Sequence, residues 1–156
     1  MISIIAVGKI KDKNIRELAA EYLKRLQPYH KVKIIEVKDY STSSKDSLIK
    51  ETLDKEAKNI LKVIKDQDYV ILLSLEGLQY DSISFSEKLG SIFTYNSSDV
   101  VFVIGGSLGV SQDIINRANL EWKFSDLTFP HQLFRVMLLE QIYRSFRIKT
   151  NEPYHK

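Results

Sequence analysis

The chain has 156 residues, 44% of them apolar and 28% charged, with 23 Lys plus Arg against 20 Asp plus Glu and no cysteine. That length suits one domain with its own core, residues 1–156, and the composition excludes disordered, collagen-like and membrane-embedded classes. The net charge of +3 sits entirely in the last 26 residues, where Arg135, Arg144, Arg147, Lys149 and Lys156 face only Glu140 and Glu152. A basic end attracts phosphate, although a solvated terminal helix has the same composition.

In chain order, Ile2–Val7 is an apolar run ended by Gly8 and reads as a buried strand. Lys13–Leu26 carries apolar residues at helical spacing, and Pro28 follows its end. Val32–Val37 is a second strand. The Ser/Thr-rich stretch Asp39–Ser44 reads as a loop into a helix from Ser47 to Ile64, with Ile49, Leu53, Ala57 and Ile60 on one face. Val70–Leu75 is a third strand. Ser84-Phe85-Ser86-Glu87 has the form of a capping box opening a helix to Tyr95. Val100–Ile104 is a fourth strand that runs into Gly105-Gly106-Ser107-Leu108-Gly109. Ser111 then caps a short helix to Ala118, and Leu120–Phe124 is a fifth strand. The last helix, His131–Lys149, begins after Pro130.

Strands that are apolar throughout, alternating with helices, predict an α/β sandwich on a parallel sheet. The opening residues lack the basic region of a secretory signal, so a cytoplasmic location is expected. Three scattered His without Cys argue against a metal centre, and no apolar run approaches the ~20 residues that a membrane span needs.

Ligands of such sheets bind beyond the carboxyl ends of the strands. Three segments lie there: Leu72–Gly77, the glycine cluster, and Phe124–Pro130. The glycine spacing matches neither a dinucleotide fingerprint nor a phosphate loop, so a ligand-free turn and a nucleoside held by backbone groups both remain open. The last helix is apolar almost all round except for Glu140, Arg144 and Arg147. A helix of that kind needs a second covering surface, and a homodimer is the simplest source. Glu140 and Arg144 read either as a plain ion pair or as a guanidinium aimed at substrate. The ending Asn151–Lys156 reads as a frayed terminus, although Pro153 stiffens it and Tyr154 and His155 are chemically able.

These features together resemble the ribosomal RNA large subunit methyltransferase H family of the SPOUT methyltransferases. The likeness covers nearly the whole chain. It rests on Ile4-Ile5-Ala6-Val7-Gly8-Lys9, Glu21-Tyr22, Lys24-Arg25, Phe102-Val103-Ile104-Gly105-Gly106-Ser107-x-Gly109 and Phe124-Ser125-x-Leu127-Thr128-Phe129-Pro130-His131-Gln132. Arg135, Glu140-Gln141-Ile142-Tyr143-Arg144 and Pro153-Tyr154-His155-Lys156 complete it.

The resemblance implies an α/β sheet with a C-terminal deep trefoil knot, a homodimer, and a cofactor site at the dimer interface. It implies an S-adenosylmethionine-dependent enzyme that methylates N3 of a pseudouridine in 23S rRNA of the assembled ribosome. Carried over by position, the cofactor residues are Leu73, Gly105, Phe124, Ser125, Asp126, Leu127, Thr128 and Phe129. The catalytic candidates are His155, as base or base-orienting group, with Tyr154 and Arg144, on a tail expected to cross to the partner subunit. A non-catalytic ribosome-binding module on the same fold is the alternative expectation.

Overall fold

The computed structural model describes residues 1–41, 46–96 and 98–155. Its elements are β1 (Ile2–Val7), α1 (Lys13–Leu26), β2 (Val32–Val37), α2 (Asp46–Leu61), β3 (Tyr69–Gln79), α3 (Ser82–Tyr95), β4 (Val100–Ile104), α4 (Gln112–Arg117), β5 (Leu120–Lys123) and α5 (His131–Lys149). The five strands form one sheet in the order β2-β1-β4-β3-β5, and all four pairings are parallel. A parallel sheet must be covered on both faces. Period-two alternation along β1 does this: Ile2, Ile4 and Ala6 join the core under α1, α3 and α5, while Ile5 and Val7 join the core under α2 and α4.

Several boundaries differ from the sequence reading, each for a local reason. β3 runs on to Gln79, because its polar second half pairs with β5 after a register shift: Leu73 and Leu78 both stand opposite Trp122. The residues between them form a hump. Gly77 allows the two strands to close behind it, since a Cβ there would lie 2.5 Å from the backbone carbon of Glu121. α2 stops at Leu61, and the expected last turn to Ile64 tightens into hydrogen bonds of 3₁₀ type from Val63 to Ile60 and from Ile64 to Leu61. α3 begins at Ser82, two residues before the capping box: Asp81 is the cap, accepting from the Ser84 amide at 2.7 Å. Ser111 does occupy the cap position of α4 but makes no side-chain capping bond. β5 stops at Lys123, one residue short of Phe124. Positions 42–44 of the expected loop, and Lys156, lie outside the described residues.

The second surface required by α5 is supplied within the chain. The helix packs on both α1 and α3, and Val136, Leu138, Leu139 and Ile142 are buried in the core cluster it shares with the sheet. Its apolar circumference is therefore no argument for a dimer. Among the described residues, no helix is long and apolar enough to cross a membrane.

Candidate functional site

The carboxyl ends of β3 and β4 and the loop after β5 enclose a hollow of about 520 Å³, within the ~300–1,000 Å³ usual for small-molecule sites. It gathers Leu73 from β3, Gly105 from the end of β4, and Phe124, Ser125, Leu127, Thr128 and Phe129 from the loop. Asp126, expected beside them, does not line it. Its side chain is 89% exposed and pairs with Lys123 at 2.7 Å, because the Ser125 hydroxyl accepts from the Leu127 amide and turns the intervening residue outward.

The glycine turn forms the opposite wall. A Cβ on Gly105 would lie 2.6 Å from Val110 Cγ1 and 2.8 Å from the Gly109 carbonyl oxygen, so the turn can fold this tightly only with hydrogen at that position. Aromatic contacts brace the remainder. Trp122 stacks on Phe85 at 3.5 Å, Phe124 meets both Trp122 and Phe134, and Phe129 stacks on Phe134. Trp122 Nε1 is buried on this wall with no acceptor among the described residues. Apolar faces, backbone groups and an unspent donor fit a nucleoside-sized ligand.

The tail is ordered, contrary to the frayed end read from sequence. Thr150 caps α5, and Asn151 follows in the left-handed region at φ +54°. The Glu152 amide donates to the Arg147 carbonyl and the Asn151 amide to that of Ile148. This is a Schellman cap with Asn in the position usually held by Gly. It reverses the chain, so the tail runs back along α5.

The reversal brings together the three catalytic candidates. Arg144 donates from Nε (3.0 Å) and Nη2 (2.6 Å) to Glu140 Oε1. Its Nη1 lies 3.1 Å from His155 Nδ1, and its guanidinium lies 4.9 Å from the centre of the Tyr154 ring. A guanidinium carries only donors, so Nδ1 accepts and the proton of the neutral His155 ring is assigned to Nε2. Glu140 raises the Arg144 pKa through the hydrogen bond. The Tyr154 hydroxyl donates to Glu140 Oε1 at 3.2 Å. Burial first, then the hydrogen bond to Tyr22, pushes its pKa up to about 12, so it stays a neutral donor near pH 7. Of the two sequence readings of Arg144, the structure contains the ion pair with Glu140, and the remaining Nη1 is turned to His155.

His155 lines a second hollow of about 530 Å³, with Asp81, Ser82 and Gln141. Trp122 and Phe124 border both hollows, so tail and first hollow share a wall.

Two supports were missed by sequence reasoning. Arg135 is 1% exposed, donates to the Val7 carbonyl at 2.8 Å, and approaches Glu36 at 3.3 Å. Its signals in the sequence were its place in the family pattern and its position within an apolar stretch of a helix, neither of which assigned it a role. Glu56 is 2% exposed beneath the glycine turn, and its Oε1 accepts from the Tyr40 amide at 3.0 Å. Burial pushes its carboxyl upward. A Cβ on Gly106 would stand 3.3 Å from its Oε2. No sequence pattern marked it. Among the described residues, no group of three or more His, Cys, Asp or Glu could hold a metal.

Residues 1–155 match the family model described as "Predicted SPOUT methyltransferase". The chain is 52% identical over 157 residues to the ribosomal RNA large subunit methyltransferase H of Clostridium botulinum (strain Loch Maree / Type A3), covering 99% of both chains. Identity to the protein of the same name from Clostridium acetobutylicum is 50%, at the same coverage. Among solved structures, the fold is similar to that of the A. aeolicus TrmH/SpoU tRNA modifying enzyme, with a TM-score of 0.51 at 14% identity over 96% of this chain and 77% of that one. With a strand-end hollow and a full-length match at this identity, the chain belongs to the ribosomal RNA large subunit methyltransferase H family of SPOUT methyltransferases.

Proposed function

We propose that this protein transfers a methyl group from S-adenosylmethionine to N3 of a pseudouridine in 23S rRNA of the assembled ribosome. The observation that carries this reading is the convergence of Leu73, Gly105 and the 124–129 loop on one hollow that shares a wall with a tail bearing His155 and Arg144. Leu73, Leu127 and Phe129 would enclose the faces of the adenine, and backbone groups of the turn and loop would read its edge. When bound, the cofactor supplies a sulfonium methyl group whose transfer is intrinsically favourable. The protein's task is alignment, bringing the attacking nitrogen to ~3–3.5 Å in line with the methyl.

The imide nitrogen attacks well only as an anion, its proton passing to solvent water, and the charge spreads onto the flanking carbonyl oxygens. His155, with Nδ1 held by Arg144, presents Nε2–H, a donor suited to such an oxygen. The base role expected from sequence would require giving up the Arg144 contact. Orientation and anion stabilisation are therefore the roles assigned to His155, with Arg144 holding the ring and Tyr154 packing beside the target.

A homodimer with the hollow at its interface is part of this proposal. It is supported by the exposure of large apolar side chains lining the hollow, 57% for Leu75 and 69% for Leu127. A C-terminal trefoil knot is likewise proposed. Its support is a strand order in which β4 lies inside β3 while β5 lies beyond it.

The test is radiolabelled methyl transfer to ribosomes from cells lacking this protein, with the modified nucleoside mapped. His155→Ala is expected to abolish most transfer while calorimetric binding of S-adenosylmethionine is unchanged, and His155→Asn, which keeps an N–H donor, to retain part of it. Full methylation by His155→Ala would remove His155 from the mechanism. No cofactor binding by the native chain would leave a ribosome-binding module instead of an enzyme.

A further inference from the structure

The anchors nearest His155 belong to the site already described: Arg144 holds its ring, and the neighbouring Tyr154 rests on Glu140 and Tyr143. Glu152 belongs to a different cluster. Its carboxylate accepts from the Tyr29 hydroxyl at 2.9 and 3.0 Å and from the Thr150 hydroxyl at 2.7 Å, and it pairs with Arg147. Arg147 also donates to the Tyr29 hydroxyl at 3.0 Å, closing a three-membered ring of polar contacts. Together the donors hold the Glu152 carboxyl below its ordinary range, with the Thr150 hydroxyl as the largest influence and Tyr29 next.

Tyr29 stands 123 residues away in sequence, in the turn between α1 and β2. Its ring stacks on Phe146 and meets Tyr143 edge-on, so its hydroxyl is held rigidly. The clasp therefore fastens the tail to a different part of the fold, at the point where the Schellman cap has just reversed it. Between Glu152 and His155 stand only Pro153, whose φ is fixed by its ring, and Tyr154, which is packed. A shift at Glu152 has little slack in which to dissipate before it reaches His155.

We propose that Glu152, gripped by Tyr29 and Arg147, is a positioning residue that sets where His155 stands over the second hollow. This inference rests on the proposed methyl transfer. The clasp touches neither hollow's lining, so it acts through the tail alone. Loss of the clasp lowers turnover without weakening cofactor binding.

The experiment compares Tyr29→Phe, Glu152→Ala and Glu152→Gln in the full-length protein, with three measurements on each. Methyl transfer to ribosomes lacking the modification is expected to show kcat reduced roughly ten- to a hundredfold in Tyr29→Phe and Glu152→Ala, the scale of a displacement of about an ångström. KM for ribosomes and calorimetric binding of S-adenosylmethionine stay at native values. Glu152→Gln, which keeps an acceptor for Tyr29 and Thr150, recovers most of the turnover. The third measurement is the nitrogen NMR signature of His155, which is expected to lose its single-tautomer pattern in Glu152→Ala. Native kcat in Glu152→Ala, or a loss of cofactor binding parallel to that of kcat, overturns the proposal. If the native protein methylates no ribosome, the functional reading fails by itself. The His155 signature then decides the clasp, and its persistence in Glu152→Ala overturns it.

Discussion

The two halves of the candidate site are built by different means. The first hollow is made of backbone turns and apolar faces beside parallel strands. The sheet ladder fixes Leu73 opposite Ile104 and Trp122, and tight turns and packed aromatic rings complete the walls. The tail has no ladder. It is placed by a left-handed Asn, one carboxylate clasp and a charge-assisted cluster around Arg144. A wall that depends on excluded volume fails abruptly when a methyl group is added. A tail held by several polar contacts yields in stages, because each contact contributes only ~0.5–3 kcal/mol.

The sharpest way to break this contrast is Gly105→Ala. The added carbon meets Val110 at 2.6 Å and the Gly109 carbonyl oxygen at 2.8 Å. Overpacking of this kind costs roughly 1–3 kcal/mol, and the turn must open to relieve it. We expect calorimetric binding of S-adenosylmethionine to be lost together with a measurable fall in melting temperature.

Asn151→Val should act on the tail alone. A β-branched residue is poorly tolerated at φ +54°, and the strain is of order 1–3 kcal/mol. The expected outcome is a tail more quickly trimmed by carboxypeptidase, with cofactor binding intact. Asn151→Gly should trim no faster than the native chain. Faster trimming in both variants would show that the Asn side chain, and not the left-handed backbone, holds the reversal.

The smallest effect concerns His30, beside Tyr29. Its ring packs on Phe93 at 4.9 Å and Phe146 at 5.8 Å, and Nε2 is buried with no partner among the described residues. Burial lowers its pKa, helped by the N-terminal ammonium and opposed by Asp99. A lowered pKa in a basic group means that the unfolded chain takes up the proton first. The associated stability is therefore complete above the ordinary His range near ~6.5 and falls as pH drops below it. Denaturant titration between about pH 7 and 5 should show this slope, and His30→Phe should flatten it.

Legibility in the sequence followed the same division. β1 and β4 were readable as bare apolar runs because both faces of a central parallel strand are buried. The hollow was readable because ligand sites at strand ends follow from topology, so the segments Leu72–Gly77, Gly105–Gly109 and Phe124–Pro130 could be grouped before any geometry was known. Within them, Leu73, Gly105 and residues 124–129 were singled out by the family resemblance. The second half of β3 was not readable: Glu76 and Gln79 are exposed, and their pairing depends on a register shift that no periodicity records. The capping box at Ser84 lost to Asp81, since two competent caps three residues apart look alike without the backbone. The tail was misread because its order arises from Tyr29, whose proximity only folding creates. The same holds for Asp126, which a family pattern placed with its neighbours and a local Ser125–Leu127 bond turned outward.

The hump in β3 between Leu73 and Leu78 has a consequence for engineering. Its first residues, Ser74 and Leu75, line the hollow, while the ladders on either side close on the same Trp122. Lengthening or shortening the hump would reshape the mouth and leave the sheet's scaffold in register, which makes this short stretch the natural place to change what the hollow admits.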